Sequence, residues 1–343
     1  MKKTSLKDIA DQLGVSKTTV SWVINNKGDE KKISRETQEK IFELADRLNY
    51  KPNQLARGLS LGKTNSIGLV VSDISNVFYA KIAKVVETAA EKHGYNIMYC
   101  SSDENPDKEQ RLIQMLKDRQ VDGLIISPSK VDSSQILQLK KENYPFVLID
   151  RYFPRIDTNY VTVDNEMGSE DLIRHLIGQG SRRIGFISVS SHLGVIKKRF
   201  AGYKNALKKE GIKFDNKVVR EVDYNDVEGT IATAIRELIH PPYKVDALYF
   251  ATNYLTVAGI KTLNKLQIRI PMDVAVVGFD DLDFFDITYP PITAVAQPIE
   301  EIAEKALEIL IDEIENREAT TPKRKVVLPT QLRVRRSCGH VNI

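Results

Sequence analysis

At 343 residues, with 42% hydrophobic and 28% charged side chains, the chain has the composition of a globular protein of two or three domains. No apolar run approaches the roughly 18 residues of a membrane helix, and the opening MKKTSLKDIADQLG lacks the apolar centre of a secretory leader, so a cytoplasmic protein is expected. The net charge of +4 is unevenly placed: residues 1–64 hold 13 Lys+Arg against 8 Asp+Glu, the remainder 37 against 38, so the excess positive charge sits in the first fifth of the chain, where a solvated basic tail would not carry the ordered apolar spacing that follows. Cys100 and Cys338 stand far apart and match no metal spacing, which in a reducing compartment reads as two isolated thiols.

In TSLKDIADQLGVSKTTVSWVINN, Leu6, Ile9, Ala10 and Leu13 fall on one helical face. Gly14 stops that helix, Ser16 can cap a second, and Thr19, Val20, Val23 and Ile24 repeat the spacing. Two short helices joined by a turn containing glycine predict a helix-turn-helix. A third helix follows from Ser34, with Ile41, Leu44, Ala45 and Leu48 inward, ending before Tyr50-Lys51-Pro52. The second helix turns Lys17, Thr18, Ser21, Trp22 and Asn25 outward, and its N-terminal part suits a major groove, where Lys17 and Thr18 reach base edges. Lys2, Lys3, Lys7 and the hydroxyls of Ser16 and Thr19 suit phosphates. With Leu6, these form the expected DNA-contacting set in this domain: Leu6, Ser16, Lys17, Thr18, Thr19, Ser21, Trp22 and Asn25. Trp22 either meets a thymine methyl or sugar edge, or packs on the first helix.

RGLSLGKT, Arg57 to Thr64, lies one residue from the phosphate-loop pattern G-x-x-x-x-G-K-S/T. The order of elements argues against that reading, because the strand-like SIGLVV follows this stretch where a phosphate loop requires a strand before it. Beyond Ser66, apolar runs alternate with helical stretches. SIGLVV, NIMYC, GLIIS, FVLID, YVTV, RIGFIS, ALYFA, VAVVGF and ITAVAQ read as strands, and this order predicts an α/β fold of doubly wound parallel sheets. SIGLVVSD at Ser66 is echoed by RIGFISVS at Arg183, which suggests two similar lobes with a cleft between them. Ligands in such folds bind beyond the C-terminal strand ends, here marked by Asp73, Ser127, Asp150, Ser188, Asn253 and Asp280, although such residues also cap the next helix.

SLKDIADQLGVSKTTVSWVINN together with ISRETQEKIFELADRLNYKPNQLARGL resembles the lac-repressor/galactose-repressor family of bacterial regulators, and the resemblance spans essentially the whole chain. Trp22 stands where that family often has Arg or another polar base-reader, and KGDEKKIS is longer than its usual link to the third helix. The resemblance implies a helix-turn-helix domain over 1–52, a hinge over 53–64 and an effector-binding, dimerising core over 65–343 of periplasmic-binding-protein architecture. The lobes are then about 65–161 with 292–321, and about 162–291 with 322–343, with crossings near Val161–Asp164, Pro290–Thr293 and Pro322. It also implies that NQLARGLSLGKT folds into a short helix over DNA, with Asn53, Ala56, Arg57 and Leu59 at the duplex and Leu59 wedged into the minor groove.

For the cleft, the resemblance singles out Phe78 and Tyr79 in SNVFYAKI, Arg199 in the R-x-x-G element of KKRFAGYKNAL, and Tyr224 in VDYNDVEG. It adds Asn253 in ATNYLTVAG and Asp280 in VVGFDDLDFF. With Asp73, Ser127 and Asp150 these form the expected effector set, suited to a sugar or sugar derivative. A purine, another metabolite or a protein corepressor remains the alternative. Lys197, Lys198 and Arg151 could extend the site towards an anion, or simply be solvated cations. No glycine-rich dinucleotide loop, G-x-S-x-G or H-E-x-x-H occurs, and the five histidines are scattered, so an α/β enzyme is not expected, nor any cofactor or metal. The expected function is a repressor-type regulator: a homodimer on a near-palindromic operator, controlled by a small molecule.

Overall fold

The computed structural model describes residues 4–50, 63–129, 133–189, 194–316 and 322–339. The chain forms two compact units that part between Thr64 and Asn65.

The first unit holds three helices, α1 (Leu6–Leu13), α2 (Lys17–Ile24) and α3 (Arg35–Arg47). Each begins on a serine: the hydroxyls of Ser5, Ser16 and Ser34 accept from the backbone N–H groups of Asp8, Thr19 and Thr37, donors that the helix itself leaves unpaired. Asp8 reaches back to the Ser5 N–H and completes a reciprocal cap. Gly14 ends α1 at φ 66°, a left-handed conformation that strains a side chain, and this turns the chain sharply into α2. The inward faces expected from the spacing, Ile9, Ala10, Val20, Val23, Ile41, Leu44 and Ala45, form one dry core.

The second unit contains two six-stranded sheets. The first carries β1 (Ser66–Val71), β2 (Asn96–Ser101), β3 (Gly123–Ile126), β4 (Phe146–Ile149), β5 (Tyr160–Val163) and, late in the chain, β11 (Lys325–Leu328). Its order is β11-β5-β4-β3-β1-β2, and every pair is parallel. Helices cover both faces, which is why SIGLVV is apolar at nearly every position. The pleat still sorts it: Ile67, Leu69 and Val71 join one core with Ile125 and Val147, while Val70 joins the other with Leu124, Ile126 and Leu148.

The second sheet has the order β12-β10-β9-β8-β6-β7, from β6 (Ile184–Val189), β7 (Val219–Val222), β8 (Ala247–Phe250), β9 (Ala275–Phe279), β10 (Thr293–Ala296) and β12 (Gln331–Arg333). Position for position it repeats the first, except that β12 runs antiparallel to β10. Ser188 lies inside β6, buried in the sheet and not at a strand end.

Two expected lobe crossings lie elsewhere. The strand 293–296, assigned above to the first lobe, pairs with β9 in the second sheet, so the chain crosses only after Ala296. Residues 325–328, assigned to the second lobe, pair with β5 in the first sheet, which moves the last crossing to between Leu328 and Gln331. Proline at 290 and 322 marked the loops, but strand pairing decides membership, and short runs such as KVVL and VREV do not announce their partner. The helix following β10, Ile299–Glu315, packs on β3 and β4 of the first sheet although the strand before it belongs to the second.

Candidate functional site

In the first unit, Lys17, Thr18 and Trp22 are exposed along α2, while Ser21 and Asn25 are half-buried. The Asn25 side-chain amide donates to the Ser21 carbonyl at 2.7 Å, so it doubles as the end-cap of α2. Ser16 Oγ, besides capping α2, lies 2.8 Å from Thr19 Oγ1, which gives a pair of hydroxyls at the helix N-terminus. Leu6 is half-buried against the core. Trp22 is 37% exposed, with Lys31 Nζ 5.9 Å from its ring centroid. The long link to α3 is ordered by Gln38, whose side-chain amide donates to Asp29 Oδ1 and to the Ile33 carbonyl, both at 2.9 Å. Lys2, Lys3, Asn53, Ala56, Arg57 and Leu59 lie outside the described residues.

In the second unit, a cavity of about 510 Å³ opens between the C-terminal ends of the two sheets. Asp73, Phe78, Tyr79, Asp150, Arg199, Tyr224, Asn253 and Asp280 all line it. Asp150 and Asp280 occupy equivalent places, directly after β4 and β9, and both adopt positive φ (62° and 74°). Side chains rarely take that conformation, and here it aims one carboxylate from each lobe into the cleft.

Ser127 is corrected from ligand contact to support. It is fully buried behind Tyr79, its Oγ 3.0 Å from the phenol oxygen, because the ring covers that strand end. The Tyr79 hydroxyl donates to Asp150 Oδ2 at 2.8 Å and accepts from Ser72 Oγ at 3.0 Å. Burial pushes the Tyr79 phenol well up, and it pushes the Asp150 carboxyl up too, against the pull of Arg151 and Arg199.

Arg199 is 3% exposed and packs its guanidinium 3.7 Å from the Phe279 ring centroid. Its Nε donates to Asn165 Oδ1 at 2.8 Å and its Nη1 to the Ala251 carbonyl at 2.7 Å, with Asp280 Oδ2 at 3.4 Å. Among the described residues Nη2 has no partner. Gly202, three residues on, makes this placement possible: a Cβ there would lie 2.0 Å from the Glu166 carbonyl, so glycine lets the Arg199 helix (Gly194–Lys209) close on its neighbour (Asn165–Gly178). The R-x-x-G element thus couples an arginine to the helix contact that aims it.

Sequence reasoning missed several lining residues. Arg151, left above between a cation extending the site and a solvated one, is half-buried in the cleft wall and forks onto Glu104 with Nη1–Oε2 2.7 Å and Nη2–Oε1 2.6 Å. Gln297 in the crossover donates to Asp280 Oδ1 at 2.5 Å, and Asn76, the cap of the helix Val77–Lys92, receives Asn253 Nδ2 at 2.8 Å. Tyr254, which displaces the expected A-N-D order, meets Tyr224 edge-on. Lys198 lies against Tyr152 and Lys197 is exposed. Among the described residues, no group of three or more His, Cys, Asp or Glu side chains is placed to hold a metal, and no helix is long and apolar enough to cross a membrane.

Residues 5–53 match the family of bacterial regulatory proteins described as lacI family, and residues 173–338 match a periplasmic binding protein-like domain. Catabolite control protein A of Priestia megaterium is 32% identical over 331 residues, covering 96% of this chain and 98% of that protein. The chain belongs to the LacI family. A solved complex of the transcriptional regulator CelR with cellobiose is 30% identical, covers 98% of this chain and 100% of that one, and superposes with a TM-score of 0.72. The lac repressor dimer bound to operator and anti-inducer, at 22% identity and TM-score 0.83 over 98% and 99% of the two chains, shares the fold. As a LacI-family member the chain is a DNA-binding transcription regulator, with a helix-turn-helix unit and a periplasmic-binding-protein-like core.

Proposed function

We propose that this regulator binds a sugar or sugar derivative between its two lobes and that occupancy sets its affinity for a near-palindromic operator, read by a homodimer. The observation that carries the reading is the pairing of Arg199 with Asp280 on one wall and of Tyr79 with Asp150 on the other, around a cavity within the usual 300–1,000 Å³ of small-molecule sites. Carboxylates, an arginine with an uncommitted nitrogen and flat aromatic walls suit hydroxyl-rich ligands. The solved complex of CelR with cellobiose supports the same class. In this reading Lys17 and Thr18 touch bases, Ser16 and Thr19 touch phosphate, and the chain catalyses nothing. Coupling of about 1–3 kcal/mol between cleft and operator is typical of such switches and changes affinity about 5–150-fold.

The test is a titration of a labelled operator, selected in vitro from random duplexes, with and without a panel of sugars. Arg199→Ala should keep operator binding and lose the response. A response unchanged in Arg199→Ala removes that residue from the site, and product formation from the responding sugar would restore the enzyme alternative.

A further inference from the structure

The cleft's cations are already committed. Among the described residues, five carboxylates line it against three cations. Arg151 spends both terminal nitrogens on Glu104. Arg199 spends Nε and Nη1 on protein acceptors. Lys261 lies 3.8 Å from Glu228 with both side chains mostly exposed. That leaves Asp73 without a cation among the described residues and Asp150 with only the Arg151 Nε at 3.6 Å. Tyr224 sits in the resulting field: its phenol is pushed up to about 12, first by burial and then by the negative charges of Glu104 and Asp73.

Leftover hydrogen-bonding capacity points the same way. Asp150 Oδ1, Asp73 Oδ2 and Gln297 Oε1 receive no donor among the described residues, and Gln297 Oε1 is fully buried. On the donor side stand Arg199 Nη2, together with Arg151 Nε and the hydroxyl of Thr252, both buried and unpaired. A ligand completing this set must bring hydroxyl donors. A phosphate or carboxylate would lose its hydration for an acceptor-rich wall whose two spare guanidinium nitrogens, Arg151 Nε and Arg199 Nη2, belong to arginines already beside Asp150 and Asp280, a poor exchange for a buried anion.

Resting on the reading that this cleft holds the effector, we propose that the effector is an uncharged polyhydroxylated molecule, a free sugar or glycan and not a sugar phosphate or uronate, and that Glu104 enforces the choice by occupying the Arg151 fork. Glu104 therefore acts on specificity through Arg151. Its removal exposes a bidentate, buried cation of the kind that binds phosphate and carboxylate elsewhere.

The experiment is calorimetry on the full-length protein with glucose, galactose, ribose, maltose and cellobiose, beside glucose 6-phosphate, ribose 5-phosphate, glucuronate and galacturonate, repeated with Glu104→Gln. Wild type should favour a neutral sugar over its charged counterpart by about tenfold or more, the scale of one charge-assisted hydrogen bond. Glu104→Gln should narrow or invert that preference by a similar factor. A charged sugar that binds wild type as well as its neutral counterpart overturns the proposal and leaves the effector-controlled regulator standing. A folded Glu104→Gln with unchanged preference removes Glu104 from the choice. Should the variant not fold, the wild-type comparison decides the effector class by itself. Failure of every compound, charged and neutral, to bind or to shift operator affinity overturns both the proposal and the reading beneath it.

Discussion

Asn253 Nδ2 donates to Asn76 Oδ1 at 2.8 Å, joining the helix that follows β8 in one lobe to the cap of the helix that follows β1 in the other. Both residues line the cleft, so this bond reports its closure directly. Lys81 with Asp283, and Lys198 with Tyr152, bridge the same two lobes. A single neutral hydrogen bond contributes roughly 0.5–1.5 kcal/mol. Asn253→Ala and Asn76→Ala should each weaken effector binding, and the double variant should be less affected than the sum by about 1 kcal/mol. A double-mutant cycle of calorimetric affinities measures this, and strict additivity would mean the bond plays no part in closure.

Asp150 gives the cleft a pH dependence of definite sign. Burial raises its carboxyl above the ordinary value of about 3.9, against Arg151 and Arg199, so the folded chain holds this proton more tightly than the unfolded one. Its contribution to stability is complete below the ordinary value and is lost as pH rises through the raised one. Hydroxyl donors of a bound sugar pair best with the charged form, so binding expels the proton and affinity rises with pH through that window. Affinities measured across the window should show this rise, and Asp150→Asn should flatten it. Tyr79→Phe, which removes the donor at 2.8 Å, should move the rise to higher pH. A flat wild-type profile would mean that Asp150 does not change its protonation on binding.

Gly202→Ala should lower thermal stability by roughly 1–3 kcal/mol, the usual cost of overpacking, because the new methyl would meet the Glu166 carbonyl at 2.0 Å. Backbone cannot step aside as a flexible side chain can, so the two helices must separate and carry Arg199 away from Asn165. Effector affinity should fall together with the melting temperature. A variant that melts like wild type, followed by calorimetry, would show that the helix pair has room to give.

Local rules made much of this chain legible before any coordinates. The spacing of Ile9, Val20 and Ile41 and the breaker Gly14 announce a three-helix unit, and runs such as SIGLVV and GLII announce buried parallel strands. Pairing choices were not legible, because KVVL at 325–328 carries no mark of joining β5, whose sequence lies some 160 residues earlier. In the cleft, strand-end polar residues gave Asp150 and Asp280 away, whereas Glu104 and Gln297 sit on loops whose direction depends on the tertiary fold. Arg151 shows the limit most clearly: a cation next to an aspartate reads either as a site or as a solvated residue until its partner 47 positions upstream is seen to fix it.

Trp22 is the chain's one tryptophan and lies on the exposed side of α2, two turns of helix at most from Lys17 and Thr18. Intrinsic tryptophan emission therefore reports on the helix-turn-helix unit alone. Contact with a thymine methyl or a sugar edge removes water from the indole, so binding of a specific operator should shift the emission to shorter wavelength or quench it, while saturating the cleft with sugar in the absence of DNA should leave it unchanged. Lys17→Ala and Thr18→Ala should each cost about 1–3 kcal/mol on specific operator if they touch bases, and Lys7→Ala should weaken specific and non-specific duplexes alike and reduce the salt slope by about one. Fluorescence titration against operator and scrambled duplex at several salt concentrations measures all of this. An operator complex that leaves the Trp22 spectrum untouched would take the indole off the DNA face, and a Lys17→Ala loss equal on both duplexes would move Lys17 from base reading to phosphate contact.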